Sequence, residues 1–130
     1  MNEILIPISP GELLDKITIL QIKSERIDDP VKVANVRTEL DMLQKVWADS
    51  VEDDDEIRAL SAELKRINES LWEIEDDIRD EERNKRFGDR FIELARAVYV
   101  TNDERADAKK KINLHLNSTI VEEKSYQDYK

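Results

Sequence analysis

The chain has 130 residues, enough for one domain with a real core but not for two. Charged residues make up 40% of it and the net charge is −10, so phosphate is repelled and nucleic-acid binding is disfavoured. Cysteine is absent and His115 is the single histidine, which excludes disulfides, thiolate nucleophiles, zinc–thiolate sites, iron–sulfur clusters and any two-histidine metal motif.

In chain order, residues 3–8 (Glu-Ile-Leu-Ile-Pro-Ile) predict an extended segment or short edge strand, since Pro7 cannot donate to a ladder. The opening residues, Met1 to Pro10, lack a basic start and a long apolar run, so no signal peptide is expected. No apolar run is long enough to span a bilayer, and a cytoplasmic location is the default. Ser9 then offers a helix cap, Pro10 fits the first helical position, and Glu12 completes a Ser-x-x-Glu capping box. Ile8 and Leu13 stand at the positions of a hydrophobic staple. The first helix, expected over residues 10–27, carries Leu13, Ile17, Leu20 and Ile27 on one side and Ile19 and Ile22 on another. A helix that is apolar on two sides belongs between neighbours.

Asp29 and Pro30 begin a second helix, whose seam Val33, Val36, Leu40, Leu43 and Trp47 runs until near Ser50. The acidic residues from Asp49 to Glu56 then suit the positive end of a third helix, expected over residues 54–86. Its seam of Ile57, Leu60, Leu64, Ile67, Leu71, Ile74 and Ile78 has alternating coiled-coil-like spacing. Gly88 is expected to close this helix and Asp89 to cap a fourth, marked by Phe91, Leu94, Ala95 and Val98. Thr101 and Glu104 form a second capping box, which gives either a break and a fifth helix over 102–116 or one continuous helix. Asn117 and Ser118 end it, and residues 118–130 form a polar tail carrying Tyr126 and Tyr129. Gly11 and Gly88 lie too far apart for a phosphate cradle, and no Gly-x-Ser-x-Gly elbow occurs.

Several segments occur together: Ser9-Pro10-Gly11-Glu12-Leu13 followed by Asp15-Lys16 and Thr18-Ile19-Leu20; Leu71-Trp72-Glu73-Ile74-Glu75-Asp76; Leu94-Ala95-Arg96 with Val98-Tyr99; Asn102-Asp103 with Arg105-Ala106 and Ile112-Asn113; and Glu122-Glu123-Lys124-Ser125-Tyr126. By these segments the chain resembles, over nearly its full length, a family of small uncharacterised bacterial helical proteins known as a domain of unknown function. The resemblance implies a bacterial or phage source and a single-domain protein, and it supplies no activity.

Three constellations could carry chemistry. On the third helix, Asn68, Trp72, Glu75 and Arg79 form a polar stripe, and on a continuous C-terminal helix Tyr99, Asn102, Ala106, Lys109 and Asn113 form another. Such stripes can line a ligand pocket, or they can pack together with ion pairs at the rim. Glu73, Asp76, Asp77 and Asp80 share one helix face, and Glu73 and Asp77 with Asp103 and Asp107 could hold Mg²⁺ in the manner of helical nucleotide pyrophosphohydrolases. The alternative is a solvated acidic face paired locally with Arg79, Arg83 and Lys85. Lys16, Lys23, Arg26, Arg96, Arg105 and Lys109 could bind a small dianion. Here Leu14-Asp15-Lys16-Ile17 through Glu25-Arg26 resembles the first helix of chorismate mutase, which implies Arg and Lys donors contributed by several helices. In this chain Asp28-Asp29-Pro30 stops the helix where the mutase helix continues. Lys109-Lys110-Lys111 suits the negative end of a helix, and His115 is a boundary residue rather than a catalytic base.

These patterns predict an all-α antiparallel bundle around the first three helices, with the C-terminal region packed across it. The expected ligand-binding set is Lys16, Trp72, Glu75, Arg79, Arg96, Tyr99, Asn102, Arg105 and Lys109, with no cofactor. The expected function is a non-enzymatic helical binding or assembly protein, set against a Mg²⁺-dependent hydrolase and a small-anion enzyme or sensor. The third helix outruns its neighbours, so part of its seam should project and form a homodimer, with a protein partner as a further option and neither nucleic acid nor membrane.

Overall fold

The computed structural model describes residues 2–129; Met1 and Lys130, the outer ends of the expected extended segment and tail, lie outside the described residues. The protein is all-α. Its helices are α1 (Pro10–Arg26), α2 (Pro30–Ser50), α3 (Asp55–Arg83) and α4 (Asp89–His115). No strand occurs among the described residues, and Ile4, Leu5 and Ile6 lie exposed rather than paired along a sheet edge.

Small side chains set the helix starts. The Ser9 hydroxyl accepts from the Glu12 amide at 3.1 Å, Asp29 accepts from Val31 at 2.9 Å, and Asp54 accepts from Ile57 at 2.7 Å. The expected return arm of the capping box is not made, because the Glu12 carboxylate turns to Lys109 at 2.8 Å instead. Ile8 packs against the cluster that contains Leu13, so the staple forms. Gly88 is the N-cap of α4, a role expected of Asp89, and it contributes no side-chain cap. The role expected of Gly88 falls to Lys85, which takes a left-handed φ of 56° and ends α3 at Arg83 rather than Arg86. The Arg86 and Lys85 amides donate back to the Glu81 and Glu82 carbonyls, which completes a Schellman turn. Asn117 repeats this geometry after α4, with φ 54°. No glycine or proline interrupts residues 89–116, and Thr101 is buried mid-helix, so α4 runs unbroken where a break at Thr101 was one expectation.

Helix α1 lies between α2, α3 and α4, as its two apolar sides require. Leu14 joins Ile57, Leu60, Leu64, Ile67, Ala108 and Ile112 in one cluster, and Leu13, Ile17 and Leu20 join Leu40 in another. Trp47 packs against both. The expected grouping around the first three helices is corrected: α3 pairs with α4, both pack on α1, and α2 runs along α1 and reaches the α3–α4 cluster through Trp47. Leu40 is the one fully buried residue of α2, whereas α4 buries Leu94, Ala108 and Ile112.

Helix α3 has 29 residues and α1 has 17, so α3 outruns α1 by roughly 18 Å at ~1.5 Å per residue. Ion pairs from Glu25 to Lys65 and from Arg26 to Glu69 and Glu73 mark where α1 ends beside it. Past that point α4 is the one helix packed against α3, and Ile74 and Ile78 are half-buried.

Candidate functional site

The first turns of α1 meet α3 and α4 through polar rather than apolar contacts. Asp15 is 1% exposed. Its Oδ1 accepts from Arg105 Nε at 2.9 Å and from Asn68 Nδ2 at 3.0 Å, and its Oδ2 accepts from Arg105 Nη2. Asn68 also donates to the Thr18 hydroxyl at 3.0 Å, and that hydroxyl donates to the Asp15 carbonyl at 2.9 Å. The hydrogen bonds to Asp15 raise the pKa of the Arg105 guanidinium further above its ordinary value. One turn away, the Gly11 amide donates to Asn113 Oδ1 at 2.7 Å. A Cβ on Gly11 would stand 2.5 Å from the Lys109 carbonyl oxygen, so glycine is what allows α1 and α4 to approach this closely.

This network forms the floor between two cavities. The first is a groove of about 440 Å³ between α1, α3 and α4. Ile19, Ile22 and Leu71 give it an apolar wall, and Lys23, Asn68, Trp72, Glu75, Asp76, Arg79, Asn102 and Arg105 give it polar edges. Asn68 is 5% exposed, and its orientation is fixed because the amide nitrogen must face the Asp15 carboxylate. Its carbonyl oxygen accepts no hydrogen bond from the described residues and stays open to solvent at the groove. Lys23 has no acidic partner among the described residues, whereas Arg79 pairs with Glu75 at 3.0 Å along the same helix. The two polar stripes expected from sequence therefore meet here through Asn68, Trp72, Glu75 and Arg79 on one side and Asn102 on the other.

The second cavity, of about 850 Å³, lies between α4 and the chain beyond it. Glu12, Tyr99, Asn102, Arg105 and Lys109 line it together with residues 122–126. Burial pulls the Lys109 ammonium down, but hydrogen bonds to Glu12 and Glu122, each at 2.8 Å, outweigh it and hold its pKa above 10.5. Asn102 and Arg105 border both cavities.

Of the expected ligand-binding residues, Trp72, Glu75 and Arg79 line the groove, Tyr99 and Lys109 line the second cavity, and Lys16 and Arg96 line neither. The cationic set does not converge on one anion. Arg105 is held by Asp15, Arg26 by Glu69 and Glu73, and Lys109 by Glu12 and Glu122. The candidate Mg²⁺ ligands are also dispersed among separate ion pairs. Glu73 pairs with Arg26 at 3.1 Å, Asp77 pairs with Arg90 at 3.4 Å, and Asp103 pairs with Lys124. Asp107 joins none of them, and no group of three or more acids or histidines among the described residues could share a cation. The acidic face of α3 is neutralised by Arg26, Arg86 and Arg90 as well as by Arg79. Sequence reasoning left Asp15, Thr18, Asn68, Asn113 and Glu12 out of the site, although Asn68 and Asn113 lay in the polar stripes.

The model of the Family of unknown function (DUF6165) matches residues 4–129. No curated protein and no solved structure matches the chain. No helix among the described residues is long and apolar enough to cross a membrane.

Proposed function

Since the chain belongs to the family of unknown function DUF6165, whose description assigns no activity, we propose from its own side chains that it is a non-enzymatic helical binding protein. Its ligand is a small polar molecule held in the groove beside Trp72. The observation that carries this is the groove lining beside Trp72, where the Asn68 amide nitrogen is committed to Asp15 and Thr18 and its carbonyl oxygen stays open to a donor from solvent or ligand. An acceptor open at the wall of a groove is met by water or by a ligand that donates to it.

The neighbouring groups indicate the ligand's form. The Trp72 indole suits a flat apolar part, and the unpartnered Lys23 ammonium suits a negative group. Catalysis by Asp15 is disfavoured on geometric grounds, because both of its oxygens already accept hydrogen bonds from the protein. Thermal-shift screening with small planar carboxylates and phosphates tests the proposal, since a ligand at 100 times its Kd stabilises by about 2.7 kcal/mol. Hits should quench Trp72 emission in a Trp47→Phe background and weaken in Lys23→Ala. Hits that ignore both Trp72 and Lys23 would place binding elsewhere and sink the proposal.

A second reading, assembly as a homodimer, is favoured by the far end of the α3–α4 hairpin. There Ile74 and Ile78 are covered from one side, and Phe87 and Ile92 are about half exposed.

A further inference from the structure

Asn113 is 1% exposed, and the Gly11 amide decides which way it faces. Because Oδ1 accepts from Gly11, the amide nitrogen Nδ2 must point away from α1. Asn113 lines a pocket of about 30 Å³ beneath residues 122–124, where Nδ2 donates to no described residue and stays open to solvent. Lys109 and Lys110 line the same pocket. Two carboxylates of the C-terminal segment lie against these donors: Glu122 on Lys109 at 2.8 Å and Glu123 on Lys110 at 3.4 Å. Further along, Lys124 pairs with Asp103, and the Tyr129 ring meets Tyr99 edge-on with centroids 5.1 Å apart. The segment has no helix or strand, so side chains hold it in place. In a chain of net charge −10, this face of α4 is a local exception that presents an open amide donor and two ammonium groups to an acidic segment.

We propose that this face of α4 is a docking site for an acidic peptide strand of a partner protein, a Glu-Glu pair followed by an aromatic residue, and that residues 118–129 are its resident, exchangeable occupant. The tail keeps the site filled through its high effective concentration, so a free peptide competes poorly with it. Exchange needs no helix to unfold, because the segment begins just after the left-handed turn at Asn117.

Fluorescence polarisation with a labelled synthetic peptide of residues 118–129 tests this on the full chain. Glu122→Gln with Glu123→Gln should loosen the tail, speed limited proteolysis across 119–129, and tighten binding of the added peptide about tenfold over the wild type. A peptide carrying glutamine at both acidic positions should bind about tenfold more weakly than the native peptide. Asn113→Asp, which keeps an acceptor for Gly11 but turns the donor into a negative oxygen, should weaken the native peptide as well. Lys110→Gln should do so without touching a buried group. Unchanged proteolysis in the double variant overturns the proposal, as does equal binding of both peptides. Displacement by inorganic phosphate would reassign the pocket to a small oxyanion, and tail-dependent dimerisation would reassign it to a second copy; either result overturns the partner reading.

Discussion

Asp15 takes hydrogen bonds from two other helices at once, and removing its charge strands a partner. Asp15→Asn leaves the Arg105 guanidinium, about a third exposed, facing a neutral amide. Breaking one side of such a pair should cost roughly 3 kcal/mol by urea denaturation. Replacing both members with apolar residues of similar size, Asp15→Leu with Arg105→Met, should cost clearly less, because no buried charge is then left alone. Equal losses in the two variants would show that the pair is not the source of the effect. The two glycines should separate just as sharply. Gly11→Ala must push α1 off the Lys109 carbonyl and should lose about 1–3 kcal/mol, whereas Gly88→Ala meets open space and should stay within about 0.5 kcal/mol. Little of this was legible in the sequence. Asp15 and Arg105 are 90 residues apart, and no local pattern distinguishes a carboxylate turned inward from one turned to solvent. Asn68 and Asn113 could be placed on polar helix faces, but which end of each amide stays open depends on Asp15 and Gly11, which only the packed helices bring near.

Element boundaries were more legible because their chemistry is local. Ser9-Pro10, Asp29-Pro30 and Asp54 act as starts as the sequence suggested. The end of α3 was misassigned because glycine is the usual left-handed residue, and here Lys85 adopts that conformation three positions earlier. The junction of α3 with α4 at the opposite end of the hairpin is pH-sensitive. His115 Nε2 lies 2.9 Å from Asp54 Oδ2, the cap of α3, and Glu56 lies 3.4 Å from Nδ1. The hydrogen bond with Asp54 raises the His115 pKa above 6.5. The Ile57 amide, followed by His115, lowers the Asp54 pKa below 3.8. A raised histidine contributes fully below its unfolded value and loses that contribution as pH climbs through the folded one. A lowered aspartate contributes above its unfolded value and loses that contribution in acid. The pair is therefore fully effective between pH 3.8 and 6.5. The melting-temperature gap between wild type and His115→Asn should be widest in that window and should close at alkaline pH. A gap that is flat across the range would mean that the imidazole acts by packing alone.

At the scale of the whole molecule, the fold class followed from hydrophobic spacing, while the partnership of helices did not. The seam of α2 looked as regular as that of α3, yet regular spacing says only that a helix has an apolar face, not how much cover that face receives. The hairpin tip beyond α1 is where the homodimer reading makes its prediction. Sedimentation velocity at tens of micromolar should show a dimer, and Phe87→Glu with Ile92→Glu should return it to monomer with helicity intact, since both side chains are exposed in one copy. A wild-type monomer at every concentration would remove that reading. The placement of α2 has a separate consequence for motion. Because α2 leans chiefly on α1 and reaches the other helices through Trp47, it can lift away while the Asp15 network and the α3–α4 hairpin stay closed. Amides across 33–47 should therefore exchange with deuterium earlier than those of α1, and each such opening would briefly uncover Leu13, Ile17 and Leu20. The molecule thus has one detachable flank, and what a proteolytic enzyme or a chaperone first meets on it is the oily side of its central rod.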